Sequence, residues 1–577
     1  MSWRPSVEED YIKISNLSFT YPDGTLALKN INLAIKKGEY VVIMGQNGAG
    51  KTTLSLFLNG TIPNITGGTV EGTVTSAGLN PFERPVYEMA QKVGVVLQDP
   101  EAQLICSDVK AEVAFAAENL GLPREEIEKR IQWANKIVRL DGMEDRSPQQ
   151  LSGGQKQRLA IAANLVMQPE VIVLDEPTSQ LDPVGTTEVF SVLKDLNEKH
   201  NMTVVMAEHK SEAAAEFADR IVVLNNGEIV ADGEPHEVFG NVDMLKKVYV
   251  KVPDVTMLAW KMKEKMPTGK YPITIPEAHS VIDGIAQKVN VSRTTFPVEI
   301  ASRSSVAKPI VEVEDFHFSY PQAATEALAG VNAAIYDGEF VALIGQNGSG
   351  KTTLVKCLLG ILRSKKGRIV VDGNDIKGTR PGELAKKIGL VLQNPDTQLF
   401  QMSVKEEIEF GLRNIGVPES EIEPRIDEAI KATGLEAWRD IYPFRLSFGD
   451  RRKVAVAAII AMKPRILIFD EPTTGQDFRG RYELAEIAKQ LNESGSTVIM
   501  ITHDMDLVAR YAKRTIVMGL GKIIAEGPTR EIFKQTKLLE QTFLRPPQIT
   551  QLSNEIGVPA MSGSLTVDEL YSNLTKG

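Results

Sequence analysis

The chain has 577 residues, too many for one hydrophobic core, so two or more domains are expected. Its composition, 42% hydrophobic and 24% charged, is that of an ordinary globular protein, and a net charge of −10 argues against a nucleic-acid partner, which needs a basic surface. Two cysteines, Cys106 and Cys357, exclude a disulfide framework, an iron–sulfur cluster and a four-cysteine zinc site, and read as reduced core thiols. The six histidines show no metal-ligand spacing.

In chain order, the opening MSWRPSVEEDY carries Glu8, Glu9 and Asp10 and no apolar stretch, so it is not expected to be a signal peptide. An apolar run at 41–44 then leads into GQNGAGKTT. A strand, a glycine-rich loop and a helix opening with Lys-Thr form a P-loop, whose backbone N–H groups curl around phosphates. Gly45, Gln46, Asn47, Gly48, Ala49, Gly50, Lys51, Thr52 and Thr53 are therefore the first nucleotide-binding set, with Lys51 reaching the β/γ-phosphates and Thr52 a ligand for Mg²⁺. The Gly-, Thr- and Asn-rich stretch 63–81 is expected to be a surface loop. Three β-branched runs follow, KVGVVLQ at 92–98, EVIVLDEP at 170–177 and TVVMAEH at 203–209, each expected to be a buried parallel strand. Asp175 ends the second of these runs beside the P-loop, where a carboxylate would hold Mg²⁺. Glu176, one residue on, would orient and polarise the attacking water.

The module is then written a second time. GQNGSGKTT supplies Gly345, Gln346, Asn347, Gly348, Ser349, Gly350, Lys351, Thr352 and Thr353, and KIGLVLQ, RILIFDEP and TVIMITH fill the strand positions, with Asp470 and Glu471 matching Asp175 and Glu176. The offset between copies is 300 at Lys51 and Lys351, 295 at Gln98 and Gln393, and 294 at His209 and His503. The tails repeat as well: VPDVTML parallels PPQITQL, and ITIPEA parallels LTVDEL. The expected organisation is an ATP-binding body over 11–251, its C-terminal extension over 252–286, an extended tether over 287–308, a second body over 309–545 and a second extension over 546–577. No apolar run approaches the 18 residues of a membrane span; the best, 454–462, is closed by Lys463.

LSGGQKQR, at 151–158 and about 20 residues before Asp175, sits where the signature of ATP-binding cassette (ABC) ATPases is found, and nearly the whole chain resembles that family. The resemblance implies an α/β fold: two tandem P-loop ABC ATPase domains, each a RecA-like α/β core with an antiparallel β subdomain and a helical signature subdomain. It also implies Mg²⁺ as cofactor, ATP as substrate, and intramolecular pairing of the two domains, each nucleotide lying between the P-loop of one and the signature of the other. Ser152, Gly153, Gly154 and Gln155 then face one γ-phosphate, and Ser447 and Gly449 the other. Gln98 and Gln393 become Q-loop residues at Mg²⁺, His209 and His503 become catalytic residues that contact the γ-phosphate, and Tyr21 and Tyr320 stack on adenine. Residues 179–182 and 474–477 become D-loops. The second signature reads LSFGD, with Phe448 and Asp450 in place of a glycine and a glutamine. Two readings stand: tolerated drift, or a slower site on Lys51, the P-loop that this signature would face.

The segments 98–123 and 393–418 share a Q-[DN]-P-x-x-Q-L run that resembles the ATPase subunits of energy-coupling-factor (ECF) transporters, as does the C-terminal Pro-x-[VI]-x-x-L motif. Asp108 and Ser403 are helix N-cap candidates, and Ser403 with Glu406 is expected to form a capping box. By this resemblance the helix that follows lines a groove for coupling helices of a transmembrane subunit, with Glu112 and Glu407 at the docking face. The implied function is energy coupling of an importer for a small solute such as a metal ion or vitamin. The implied partners are that coupling subunit and a substrate-binding membrane subunit, with the chain peripheral at the cytoplasmic face of the cell membrane. The alternative is a soluble tandem ABC ATPase acting on ribosomes. Such proteins typically carry a long basic linker or iron–sulfur cysteines, and this sequence has neither.

Overall fold

The computed structural model describes residues 10–264, 270–286, 308–321, 325–556, 558 and 561–575. Of the expected tether, all but Lys308 lies outside them. The chain divides into two units, Met1–Ile282 and Asp283–Gly577.

The strands of the first unit are β1 (Asp10–Thr20), β2 (Leu26–Lys36), β3 (Tyr40–Met44), β4 (Thr69–Ser76), β5 (Val93–Val96), β6 (Val171–Asp175), β7 (Thr203–Ala207), β8 (Arg220–Asn225) and β9 (Glu228–Gly233). They form two sheets, a three-stranded one ordered β2-β1-β4 and a six-stranded one ordered β5-β6-β7-β3-β8-β9. The larger sheet is parallel from β5 through β8, with β9 antiparallel at its edge. Every residue of β3, β6 and β7 is buried, as unbroken Val/Ile/Leu runs must be when both faces of a parallel sheet are covered. The small sheet is antiparallel, and β1 alternates buried with exposed positions.

The stretch 63–81 corrects one expectation: β4 occupies its centre and pairs with β1 from Ile12 to Thr20. The Gly and Thr residues concealed this strand because it lies at a sheet edge, where five of its eight side chains are exposed and no apolar alternation is required.

The second unit repeats the plan with β10 (Pro309–Phe318), β11 (Leu328–Tyr336), β12 (Phe340–Gly345), β13 (Arg368–Val371), β14 (Asn374–Asp375), β15 (Ile388–Val391), β16 (Ile466–Asp470), β17 (Thr497–Ile501), β18 (Arg514–Gly519) and β19 (Lys522–Pro528). Their orders are β11-β10-β13-β14 and β15-β16-β17-β12-β18-β19. A helical subdomain is inserted between β5 and β6 in the first unit and between β15 and β16 in the second. It comprises Val109–Asn119, Arg124–Ile137 and Gly153–Leu165 in the first unit, and Val404–Ile415, Glu419–Thr433 and Phe448–Ile460 in the second.

The tails match in detail. Helix Asp254–Lys261 corresponds to Gln548–Glu555, and Thr256 and Thr550 both send a buried hydroxyl back to a carbonyl, of Pro272 and Ser564, at 2.7 and 2.8 Å. Glu277 and Glu569 accept the amides of Ile273 and Leu565 at 2.8 and 2.7 Å. Among the described residues no helix is long and apolar enough to cross a membrane. The run 454–462 belongs to the helix Phe448–Ile460 and the turn after it, with Val454, Val456 and Ala457 fully buried.

Candidate nucleotide sites

The strand order places the chemistry at one edge of each large sheet. The central strand β3 ends in the P-loop, β6 ends at Asp175 and β7 leads to His209; Asp175 and Ile43 both register against Ala207. The loop itself demands glycine. At Gly45 φ is 153°, and a Cβ there would lie 2.3 Å from the Leu224 carbonyl oxygen; at Gly50 it would lie 2.8 Å from that of Ala27. Gly345 and Gly350 meet the same obstacles, at Met518 and Ala327. The second threonine of each loop is fixed by the tyrosine expected at adenine. Tyr21 and Thr53 hydroxyls lie 2.9 Å apart, and Tyr320 and Thr353 hydroxyls 3.2 Å apart.

Lys51 is buried, and its ammonium donates to the Gly45 and Gln46 carbonyls at 3.0 and 3.1 Å. It also lies 3.3 Å from Glu176 Oε1 and 3.2 Å from His209 Nε2. Glu176 in turn lies 2.8 Å from His209 Nε2 and accepts the Gln98 amide at 3.1 Å. Three residues far apart in sequence, Lys51, Gln98 and His209, thus meet on one carboxylate. Burial raises its pKa, but His209 and Lys51 outweigh burial and hold Glu176 at about 2, so it is ionised, as activation of a water requires. The second unit matches in outline: Lys351 donates to the Gly345 and Gln346 carbonyls at 2.7 and 3.0 Å, His503 Nδ1 lies 2.8 Å from Glu471, and Glu471 is held below the usual carboxylate range chiefly by His503 against its burial. Gln393 differs from Gln98 in that it is exposed.

Glu176 and Glu471 share a feature the sequence did not announce: φ is +46° and +49°, left-handed values that cost a non-glycine residue about 1–3 kcal/mol. The amides on the same residues are tied to the Ala207 and Ile501 carbonyls at 3.0 and 2.9 Å. This kink follows directly on the Asp175 and Asp470 strand ends and turns each Glu toward the lysine and histidine.

Asp175 and Asp470 have the opposite electrostatics. Burial pushes both up to about 6, aided by the neighbouring Glu176 or Glu471 and opposed by a hydrogen bond from Thr52 or Thr352. Asp175 Oδ1 is buried with no hydrogen-bond partner among the described residues, and Thr352 donates to Asp470 Oδ1 at 3.4 Å. A hydroxyl beside a desolvated carboxylate oxygen without a donor is a donor set that fits a hard divalent cation such as Mg²⁺.

The signature turns sit apart, at the N-termini of helices Gly153–Leu165 and Phe448–Ile460. Ser152 caps the first with Gln155 in a full capping box. In the second, Ser447 accepts the Asp450 amide at 3.1 Å while its hydroxyl donates to the Asp450 carboxylate at 2.7 Å. A carboxylate therefore takes the one proton that this serine can offer.

Beyond the Q-loop, three expectations change. Ser403 caps its helix by accepting from Glu406 N–H, but Glu406 does not return the bond, so the capping box is half made. Glu112 and Glu407 are buried, not at a docking face. Each carboxylate staples the preceding loop, accepting the amides of Ile105 and Cys106 at 2.8 and 2.7 Å, or of Phe400 and Gln401 at 2.9 and 2.8 Å. Cys106 is thus a half-buried loop residue, while Cys357 is buried as expected. What these staples display is apolar: Ile105 and Phe115 in the first unit, Phe400, Met402 and Phe410 in the second, each 44–70% exposed.

Two residues that shape these sites had no motif to mark them. Glu208 is buried and accepts the Thr178 hydroxyl and the His209 amide, joining the turn after Asp175 to the histidine. Arg452 is fully buried beside the second signature. Neither lies in a recognisable pattern, and only burial of a charge singles them out.

The profile of the ABC transporter family matches residues 28–179 and 328–474, the two P-loop bodies. An ABC transporter ATP-binding protein of Caldanaerobacter subterraneus, so described by inference, is 40% identical over 571 residues, covering 98% of this chain and 99% of its own. One of Methanosarcina acetivorans is 39% identical over 581 residues, covering 98% and 93%. Among solved structures, cbiO1 from Clostridium perfringens, part of the ABC transporter complex cbiONQ, is 38% identical and covers 42% of this chain and 98% of its own, with a TM-score of 0.38. Two family matches, one in each unit, and relatives that align end to end lead to one conclusion: the chain belongs to the ABC transporter ATP-binding family and is an ATPase with two ABC domains in tandem.

Proposed function

We propose that this ATPase is the energy-coupling subunit of an ECF-type importer. It would work at the cytoplasmic face of the cell membrane through a transmembrane coupling subunit and a substrate-binding membrane subunit that takes up a metal ion, a vitamin or a similar small solute. The observation that carries the reading is the paired apolar surface beyond each Q-loop. Phe400 and Met402 stand out of a loop that buried Glu407 holds in place, beside Phe410 on the helix that follows, and Ile105 stands out of the matching loop on Glu112, with Phe115 on its helix. Phe400 and Phe410 rings pack edge to face at 4.8 Å, a preformed pair for an inserted helix. A ribosome-acting ATPase would need a basic face, and the net charge of −10 argues against one.

In the reaction we assign to these sites, the P-loops and Lys51 or Lys351 bind the ATP phosphates, and Tyr21 or Tyr320 meets the base. Thr52 with Asp175 and Gln98, or Thr352 with Asp470 and Gln393, would hold Mg²⁺, which neutralises charge on the phosphates when bound. Glu176 and Glu471 orient water and take its proton, while His209 and His503 hold those carboxylates and reach the γ-phosphate. Ser152 and Ser447 close the sites when the two domains pair.

The test is purification of the chain from membranes with and without Phe400→Asp/Phe410→Asp. Wild type is expected to bring a transmembrane subunit with it and the variant to lose it, with melting unchanged. ATPase activity that follows ribosomes rather than the membrane fraction would refute the reading.

A further inference from the structure

The helix that opens with the second signature carries a cation where the first carries none. Arg452 is fully buried, and its matched residue in the first unit is Gln157, also buried, whose Nε2 has no hydrogen-bond partner among the described residues. A buried guanidinium is costly unless its donors are satisfied. Here its two terminal nitrogens donate to main-chain carbonyls of two separate segments, while Nε has no hydrogen-bond partner among the described residues. Arg452 donates to Gln393 O of the Q-loop at 2.6 Å, to Thr474 O of the D-loop at 2.9 Å, and to Pro472 O between β16 and the D-loop. Among the described residues no carboxylate bonds it; the nearby Asp396 is paired with Arg451 at 3.0 Å.

The substitution that breaks the signature belongs to the same arrangement. The Phe448 ring lies 5.0 Å from the Arg452 guanidinium carbon and covers one face of it, the geometry of a cation–π contact. Phe448 and Arg452 differ from Gly153 and Gln157 together, one turn apart on one helix face.

We propose that Arg452, covered by Phe448, is a positioning residue that ties the Q-loop, the turn after Glu471 and the D-loop of the second unit to the signature helix, so that these segments move as one body. Displacing any one of them strips a bond from a buried charge, a penalty that the neutral Gln157 does not impose in the first unit. The second unit would then pass a push on its Q-loop directly to its D-loop, and the first unit would do so more loosely. The tie itself stands without the proposed function; only its use by a membrane subunit rests on that reading.

The experiment is amide hydrogen exchange on the full chain with no membrane subunit present, so that failure of the importer reading leaves its outcome untouched. Arg452→Gln should speed exchange at least about tenfold in both 393–396 and 472–477, leaving the P-loop 345–350 within about twofold of wild type. Turnover should fall while KM for ATP holds, and Arg452→Lys should fall between. Phe448→Leu, which keeps the guanidinium and removes its cover, should raise exchange in the same two segments by a smaller factor, and it decides the matter if Arg452→Gln does not fold. Exchange that rises in one segment only, in neither, or throughout the second unit would overturn the proposal.

Discussion

Replacing Glu176 or Glu471 by glutamine tests the centre of each site. Glutamine keeps the volume and loses the base. In the first unit it also removes the negative charge that lies 3.3 Å from Lys51 and 2.8 Å from His209. Lys51 is not orphaned, because the Gly45 and Gln46 carbonyls still accept from it, so the loop should hold its shape and ATP should bind with little change in affinity. A positioned base is worth about 10²–10⁴ in rate, which at 1.36 kcal/mol per decade is about 2.7–5.4 kcal/mol of barrier. Single-turnover hydrolysis of bound ATP, measured for each variant and for Glu176→Gln/Glu471→Gln, should show the double variant slowed by that range while nucleotide binding persists. A double variant that hydrolyses ATP within about threefold of wild type would show that these carboxylates do not activate the water, whatever their place in the fold.

Three further outcomes are expected. In the proposed pairing the second signature faces the Lys51 site; Asp450→Gln, which frees the Ser447 hydroxyl, should then speed that site by on the order of 10²-fold, the worth of one donor to a transition-state oxyanion, and Lys351→Ala should lower ATPase more than Lys51→Ala, while equal trapping of nucleotide at both wild-type sites would refute this asymmetry. Glu407→Gln should loosen the loop that carries Phe400 and Met402, weakening recovery of a membrane subunit less than Phe400→Asp/Phe410→Asp does; an undiminished complex with the Phe double variant would remove the docking surface. Glu170 accepts from Lys37, Lys92 and Tyr11, and these bonds hold it at about 2 against burial. Its pKa is depressed, so its stabilising effect is full above the ordinary value of 4.5 and is lost as pH falls from there toward 2. With its side chain 31% exposed, Glu170→Gln should cost about 1 kcal/mol at pH 7, and melting curves of variant and wild type should converge at acid pH.

Much of this was legible in the sequence because phosphate chemistry demands particular residues in a fixed order. The P-loops, Asp175 with Glu176, Asp470 with Glu471 and the strand runs all fall where their spacing places them, and the tail repeats match down to the Thr256 and Thr550 hydrogen bonds. The misses have two physical origins: residues whose role depends on what folds against them, and an edge strand whose exposure removes the apolar pattern. Glu112 and Glu407 look like surface acids on a helix, and only the loop folded back over them makes them staples. β4 hides among glycines because an exposed edge strand needs no apolar alternation. Glu208 and Arg452 satisfy partners about 30 and 20–59 residues away, and no local pattern records that.

The left-handed backbone at Glu176 and Glu471 has a consequence for anyone who evolves this protein. Glycine at either position would relieve strain worth about 1–3 kcal/mol and would delete the carboxylate at the same stroke. A screen that rewards heat resistance alone would therefore be drawn, at two sites, toward variants that lack the carboxylate proposed to activate water. Thermostabilising libraries for this chain should hold both codons fixed, or score hydrolysis alongside melting.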